Sequence, residues 1–463
     1  MKIKDLAYSL LMWFTFSAVV LAWYWSSETG FCFDGILFHL QYGKSFLVGN
    51  GLLRSLNLFV LITFFFTLFF YIVFFCFFPQ RKGLLVVLLV MCCWGYIVVK
   101  LKVVEYFKLR FSENDFYERN WVLPEAEFEK NKRPNLILLT LESIEDSFSN
   151  KNYWNENLIS GLDNKRRNGY SFSGFNSLSG TWWTMGSVIG SWCGIPLILP
   201  SGINMLYSND YFIAGARCLS DILKDNGYEL FYIKGSMTKF AGMDIFLKNH
   251  GYKDKDVLDW IKLVNNNPDL PVGEWGVYDR EVYSVFKDKI IELSKQNTPF
   301  FAAMQTIDTH YKFQELSKNC EGSNDSMYDV IRCADKQASE FVDWFFEQDF
   351  KDDTVLVVMG DHLFMDKFVP DIKFPENGRT VFNLFINSRS AQTINLKRKF
   401  TSLDIFPTIL ESLGMKVKNN RAGLGVSLFA PDGKPTLLEN LGAERLNKEV
   451  LKNSDIYNSF LIK

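Results

Sequence analysis

The chain has 463 residues, of which 48% are hydrophobic and 16% aromatic, and a formal charge of −2. That length accommodates two or three domains, and the near-neutral balance offers no electrostatic footprint for nucleic acid. The apolar content is uneven: residues 7–104 are crowded with Phe, Leu and Val, whereas the remainder has the mixed charge and turn residues of a water-facing domain.

A helix needs ~20 apolar residues to cross a bilayer, and three stretches, 6–24, 56–78 and 84–104, satisfy this. A cleaved signal peptide fits the first poorly, because it is long, lacks a small-residue cleavage site and is succeeded by two further spans. Lys2 and Lys4 before the first span, with Arg81 and Lys82 between the second and third, place the N-terminus in the cytoplasm and export the chain beyond the third span. Lys44 and Arg54 fall on the outer side, so the charge bias is imperfect. The expectation is a multi-pass protein of the inner (cytoplasmic) membrane. It comprises a transmembrane region at 1–104, a juxtamembrane linker at 105–133 and a periplasmic catalytic domain at 134–463. His39, among apolar neighbours in the outer connection, reads as a structural or interfacial residue rather than a ligand. In the linker, Phe111, Phe116, Tyr117 and Trp121 are expected at the headgroup level.

From Pro134 onward, apolar runs alternate with segments of helical period, which predicts an α/β fold with a mostly parallel sheet flanked by helices. Strands are expected at 135–141, 229–233, 300–305, 354–359 and 381–386. Helices are expected at 184–192, 216–226, 280–295, 336–347 and 403–413, the last opened by Thr401-Ser402-Leu403-Asp404 and stopped at Gly414. Cys76, Cys92 and Cys93 belong to the apolar region as packing residues, and Cys32 to its outer connection. In an oxidising compartment the other four cysteines favour two disulfides. Of the three possible pairings, sequence neighbours are favoured: Cys193 with Cys218 and Cys320 with Cys333.

Glu142 comes directly after the run 135–141, and Asp361-His362 directly after 354–360. In an open α/β sheet, residues just past several strand ends converge on one crevice. Two carboxylates and an imidazole meeting there suit one divalent ion. The Thr181 hydroxyl, in Gly180-Thr181-Trp182-Trp183-Thr184, completes a four-ligand set. A metal would activate that alcohol as a nucleophile, and a helix starting there would favour a phosphate at the same point. Each residue alone has an ordinary role as a cap or turn, and Thr181 alone would be an N-cap. Their joint occurrence with His310 points to phosphotransfer, and two of the three histidines beyond residue 104 sit in these turns. His310 reads as a phosphate contact or leaving-group acid, since four ligands already satisfy the ion. Asp308 either orients His310 or closes its own turn. His250 reads as a structural helix tail. Trp182 and Trp183 could stack on a glycerol or sugar, dip into the bilayer, or simply pack.

On these residues the chain resembles the sulfatase-like branch of the alkaline phosphatase superfamily. Within it, the chain is similar to the membrane-anchored phosphoglycerol transferases that act on periplasmic glucans, and to lipoteichoic acid synthases. The resemblance covers most of 105–415 and rests on several motifs in order. They are Leu141-Glu142-Ser143, Gly180-Thr181, Ser191-Trp192-Cys193-Gly194-Ile195-Pro196, Phe240-Ala241-Gly242-Met243-Asp244, Trp275-Gly276-Val277-Tyr278-Asp279, Asp308-Thr309-His310 and Gly360-Asp361-His362. It implies Thr181 as nucleophile and ligand, with Glu142, Asp361 and His362 completing the metal site and His310 touching substrate phosphate. It also implies a phosphatidylglycerol donor, a phosphoglycerol-threonine intermediate, a glycan acceptor, and manganese or magnesium in preference to zinc. Relatives tend to carry a basic residue where Met243 stands, so that task would pass to Lys239 or Lys248 or be absent. The chain also lacks the long C-terminal extension of the glucan enzymes, which leaves the acceptor open. Sulfatase activity itself is not expected, because the nucleophile position lacks a Cys or Ser with Pro two residues on. The alternatives are a phosphoethanolamine transferase acting on lipid A or another surface glycan, and a catalytically silent membrane-anchored sensor. A silent sensor predicts a missing ligand, and none is missing.

Overall fold

After Asn135, Leu136–Leu141 is an unbroken run with one Thr among aliphatic side chains, a pattern that requires cover on both faces. In the computed structural model Asn135–Leu141 forms β1, buried from its second residue onward, at the centre of a seven-stranded sheet. The structure describes residues 3–28, 62–110, 115–128, 133–198, 211–310, 316, 320, 322, 326–365, 374, 378–390, 394–431, 434–452 and 454–461. The other strands are β2 (Gly169–Tyr170), β3 (Glu229–Lys234), β4 (Val257–Leu258), β5 (Phe300–Gln305), β6 (Thr354–Gly360) and β7 (Asn383–Ile386). Their order across the sheet is β2-β7-β6-β1-β5-β3-β4. β1, β3, β4, β5 and β6 run parallel, while β7 is antiparallel to both β6 and β2. Leu141 lies opposite Gly360, and Gln305 opposite both Thr140 and Lys234. These strands therefore end level, and the turns after them emerge at one edge of the sheet.

The covering helices are α1 (Thr184–Cys193), α2 (Leu219–Asp225), α3 (Met243–Asn249), α4 (Asp279–Ser294), α5 (Met327–Phe346) and α6 (Ser402–Ser412). Strand alternation divides the core. Ile137, Leu139, Phe231 and Phe300 meet Phe286 of α4 and Phe341 of α5 on one face. On the other, Trp192 of α1 packs against Tyr232, Phe246, Tyr252 and Phe301. Replacing Trp192 by Ala is expected to cost about 3–5 kcal/mol, the usual penalty for an emptied aromatic site. Urea denaturation of the two proteins measures it, and a loss below about 1 kcal/mol would mean that the site collapses without cost.

Element ends depart from expectation for local reasons. α5 starts at Met327 rather than 336, because the Ser326 side chain accepts from Asp329 N and caps it. α2 starts at Leu219 rather than 216, since Cys218 is extended and donates its N–H to Asp221 at 2.8 Å. Both expected disulfides, Cys193–Cys218 and Cys320–Cys333, are present.

Backbone contacts divide the chain into two units, Met1–Glu113 with Leu199–Asp210, and Asn114–Ile198 with Tyr211–Lys463. In the first, Ile3–Glu28 and Lys82–Lys100 are helices long and apolar enough to cross a membrane. They pack through Met12, Phe16 and Val86, joined by Phe74 of the helix Ile62–Phe77, with Lys82 paired to Asp5 at 2.6 Å. Ile62–Phe77 is a shorter apolar helix. The rest of the expected span 56–78, and Cys32, His39, Lys44 and Arg54, lie at least partly outside the described residues.

The expectation that the linker aromatics sit at the headgroup level is corrected for two of them. Phe116 and Tyr117 are buried in the second unit, and Tyr117 Oη donates to Val450 O at 2.9 Å. Trp121 packs on Phe460, also within that unit. Phe111 lies outside the described residues.

Candidate active site

The level strand ends place three ligand-type side chains together. Glu142 succeeds β1, Asp361 succeeds β6, and Asp361 N donates to Leu141 O at 3.0 Å, which locks the two turns side by side. His362 Nε2 lies 3.5 Å from Glu142 Oε1 and 3.4 Å from Asp361 Oδ2. One donor atom from each residue falls within 4.8 Å of the others, and all three residues are buried. A tetrahedral ion with bonds of about 2.1 Å would set neighbouring donor atoms about 3.4 Å apart. The ring is also in the right tautomer: His362 Nδ1 is 2.9 Å from Leu363 O, so Nδ1–H donates there and Nε2 keeps its lone pair. These residues fit one divalent metal ion.

The surrounding hydrogen bonds fix this geometry. Ser143 has φ +55°, a left-handed conformation that costs a non-glycine residue roughly 1 kcal/mol or more. It directs Ser143 N to Asp361 Oδ1 and Ser143 Oγ to Glu142 Oε1, both at 2.8 Å. Gln305 Nε2 donates to Asp361 Oδ2 at 3.0 Å. The loop carrying His362 is clamped by the buried Glu145, which accepts from Phe364 N and from Arg379.

The hydroxyl that meets this cluster belongs to Thr184. Thr184 is the first residue of α1, and its Oγ1 donates to Glu142 Oε2 at 3.2 Å. Thr181 Oγ1 instead donates to Leu178 O at 3.1 Å, inside the turn made by left-handed Gly180. A Cβ placed on Gly190, well along α1, would come within 3.3 Å of the Thr181 methyl, so Thr181 is tucked beside the helix rather than at its mouth.

A sulfatase family model matches residues 134–415. The chain belongs to the sulfatase family. It is similar to phosphoglycerol transferase I of Salmonella choleraesuis, 29% identical over 303 residues, which is 64% of this chain and 39% of that protein. It is also similar to phosphoglycerol transferase I of Salmonella typhimurium, 30% identical over 305 residues with the same shares. The chain thus spans about two fifths of the length of these relatives. Among solved structures, a protein in the alkaline phosphatase superfamily from Vibrio parahaemolyticus is 21% identical, with a TM-score of 0.54 covering 71% of this chain and 78% of that one. The fold is that of the alkaline phosphatase superfamily.

Within this sulfatase-family site, the other expected residues divide. His310 acts electrostatically on Glu142 and stacks edge-on with Trp275 at 4.3 Å. Asp308 accepts from Asp279 N, while the Asp279 carboxylate accepts from Ile307 N and Asp308 N, a reciprocal clasp that closes the turn. Trp182 is 63% exposed, whereas Trp183 lies over Gly186 of α1. Lys239 and Lys248 are exposed and Met243 is buried. Lys234, the last residue of β3, is a cation buried among these acids, and sequence reasoning passed over it. Its only signal is a charge closing the apolar run Leu230–Ile233. Burial lowers its pKa, opposed by Glu142, Asp361, Asp259 and Asp279.

Burial raises the Asp361 carboxyl to about 7, with the neighbouring Glu142 adding to the rise. Burial would raise Glu142 too, but His362, His310, Ser143 and Lys234 hold it below the usual value. For His362, burial is outweighed by Asp361 and Glu142, which raise its pKa. A metal must therefore displace protons from both Asp361 and His362 as the pH falls below about 7. Metal affinity is expected to weaken by about tenfold to a hundredfold per pH unit below neutrality, one decade for each proton displaced, and to level off above it. Calorimetric titrations between about pH 5 and 8 check this, and an affinity independent of pH would remove the proposed competition.

Proposed function

We propose that the protein is a metal-dependent transferase that moves phosphoglycerol from phosphatidylglycerol to a cell-envelope glycan, through a covalent intermediate on Thr184. The observation that carries this reading is the Thr184 hydroxyl on Glu142, beside Asp361 and His362, at the first residue of a helix. Relatives named phosphoglycerol transferase I support the choice of donor. Glu142, Asp361 and His362 would hold manganese or magnesium, with Thr184 beside them. When bound, such an ion supplies positive charge that favours the alkoxide of a coordinated alcohol.

In this reading Thr184 Oγ loses its proton to solvent and attacks the donor phosphorus. The bond from phosphorus to the diacylglycerol oxygen breaks, and that oxygen takes a proton, supplied by His310, as diacylglycerol leaves. An acceptor hydroxyl then gives its proton to His310 and attacks the same phosphorus, the threonine ester breaks, and Thr184 regains a proton from solvent. Lys234 and the N-terminal turn of α1 offset the phosphate charge. Trp182 offers its exposed ring to glycerol or sugar. The apolar helices Ile3–Glu28 and Lys82–Lys100 support a multi-pass anchor in the inner membrane, and the two disulfides support a periplasmic catalytic unit.

The test is to incubate the full chain and metal with head-group-labelled phosphatidylglycerol or phosphatidylethanolamine, omitting acceptor, and to map adducts by fragmentation mass spectrometry. Glycerophosphate on Thr184 is expected. An ethanolamine adduct would reassign the donor, and no adduct from either lipid would overturn the covalent route.

A further inference from the structure

At the end of α1 remote from Thr184 lies a second group of buried donors that phosphotransfer does not use. Cys193 is the last residue of the helix and is bonded to Cys218. Cys218 Sγ lies 3.9 Å from His250 Nε2, and His250 Nδ1 lies 2.7 Å from Asp221 Oδ2. Both cysteines and His250 are at most 2% exposed, and Asp221 forms the partly open edge. A sulfur, a ring nitrogen and a carboxylate oxygen of Cys218, His250 and Asp221 fall within 4.8 Å of one another.

The short contact to Asp221 fixes the ring. The carboxylate accepts the Nδ1 proton, which leaves Nε2 as the ring atom available to a metal, and its polar neighbour is the Cys218 sulfur. A tetrahedral zinc ion with ordinary bonds sets sulfur and nitrogen about 3.6 Å apart, close to the 3.9 Å seen here. A histidine oriented by a carboxylate is the arrangement metal sites use to fix the tautomer. The missing ingredient is thiolate charge, which the disulfide withholds.

We propose that Cys193, Cys218 and His250, oriented by Asp221, form a reduction-gated site for one thiophilic divalent cation of the zinc class. A thiol or phosphine reductant delivers two electrons to the S–S bond, which breaks to give two thiols. The cation then displaces their two protons and binds both thiolates and Nε2, with water in the fourth position. Thiolates select a softer ion than the oxygen-rich Glu142 cluster does, so the two sites differ in metal preference. The gated site lies on the helix whose first residue is Thr184, which places redox state and catalytic alcohol on one rigid element.

The test uses the full chain in detergent, with and without phosphine reduction, titrated with cobalt(II) under anaerobic conditions. Cobalt bound by thiolate gives an intense near-ultraviolet charge-transfer band that oxygen and nitrogen ligands do not produce. The expected result is one equivalent of this band after reduction only, displaced by zinc. It should be lost in His250→Gln, and in Asp221→Asn retained at full amplitude with affinity about 10–100-fold weaker, the usual cost of losing an orienting partner. A graded loss in Asp221→Asn separates a bound site from misfolding. The proposal is overturned if the reduced wild-type chain shows no band. It is equally overturned if His250→Gln gives the same band at the same affinity, since cobalt would then be on Cys32, Cys76, Cys92, Cys93, the reduced Cys320 and Cys333, or unfolded thiols.

Discussion

Thr184→Ala is expected to reduce turnover by about a thousandfold or more, the scale on which a covalent nucleophile is lost, while Thr181→Ala reduces it less than about tenfold. The contrast rests on where two hydroxyls point. Thr184 Oγ1 touches Glu142, whereas Thr181 Oγ1 closes a turn onto Leu178 O. Thr184→Ser should restore part of the activity, because it keeps the oxygen. Thr181→Ala instead leaves a Leu178 carbonyl without its side-chain donor and trims a methyl beside Gly190, so its effect belongs to stability. The measurements are steady-state turnover on labelled phosphatidylglycerol and the glycerophosphate adduct in each variant. An active Thr184→Ala protein together with a dead, folded Thr181→Ala protein would return the role to Thr181.

Asp361→Asn is the second large effect, and it should separate metal binding from folding. Asp361 accepts from Ser143 N, His362 N and Gln305 Nε2, so it is held at full length beside Glu142 and His362. Removing its charge takes away a metal ligand and should weaken metal binding by more than the 10–100-fold that a lost supporting contact costs. Turnover should fall with it. The metal-free variant should melt no lower than wild type above neutral pH, because a carboxyl pushed up to about 7 by burial and by Glu142 is unfavourable there as an anion. Metal at about 100 times its Kd stabilises a folded protein by about 2.7 kcal/mol. That shift in Tm should be present in wild type and absent in Asp361→Asn. A variant that keeps the shift would exclude Asp361 from the metal site.

Much of the fold was legible because burial on both faces leaves a plain mark. The runs 135–141 and 300–305 are strands to the residue, and 354–359 needs only Gly360 added. Glu142, Asp361 and His362 were legible for a related reason, since each lies just past such a run and strand ends in a parallel sheet converge. Short elements were not. Gly169–Tyr170 and Val257–Leu258 are too brief to show a period and exist because a neighbouring strand offers hydrogen bonds. The aromatic stretch after residue 115 resembled a membrane-surface segment, because Phe116 and Tyr117 find their cover in distant residues such as Val450 and Tyr457.

The amino-acid order alone determined a parallel α/β domain preceded by apolar helices, the acids and imidazole that gather at its strand ends, and the cysteine pairs. Only the tertiary structure decided which of two threonines three residues apart reaches Glu142, and that Lys234 is the cation buried among the acids. Periodicity reports which side chains are hidden. It cannot report the direction of a hydroxyl at a helix start, which is set by the left-handed turn at Gly180 and by how α1 packs against the ends of other strands.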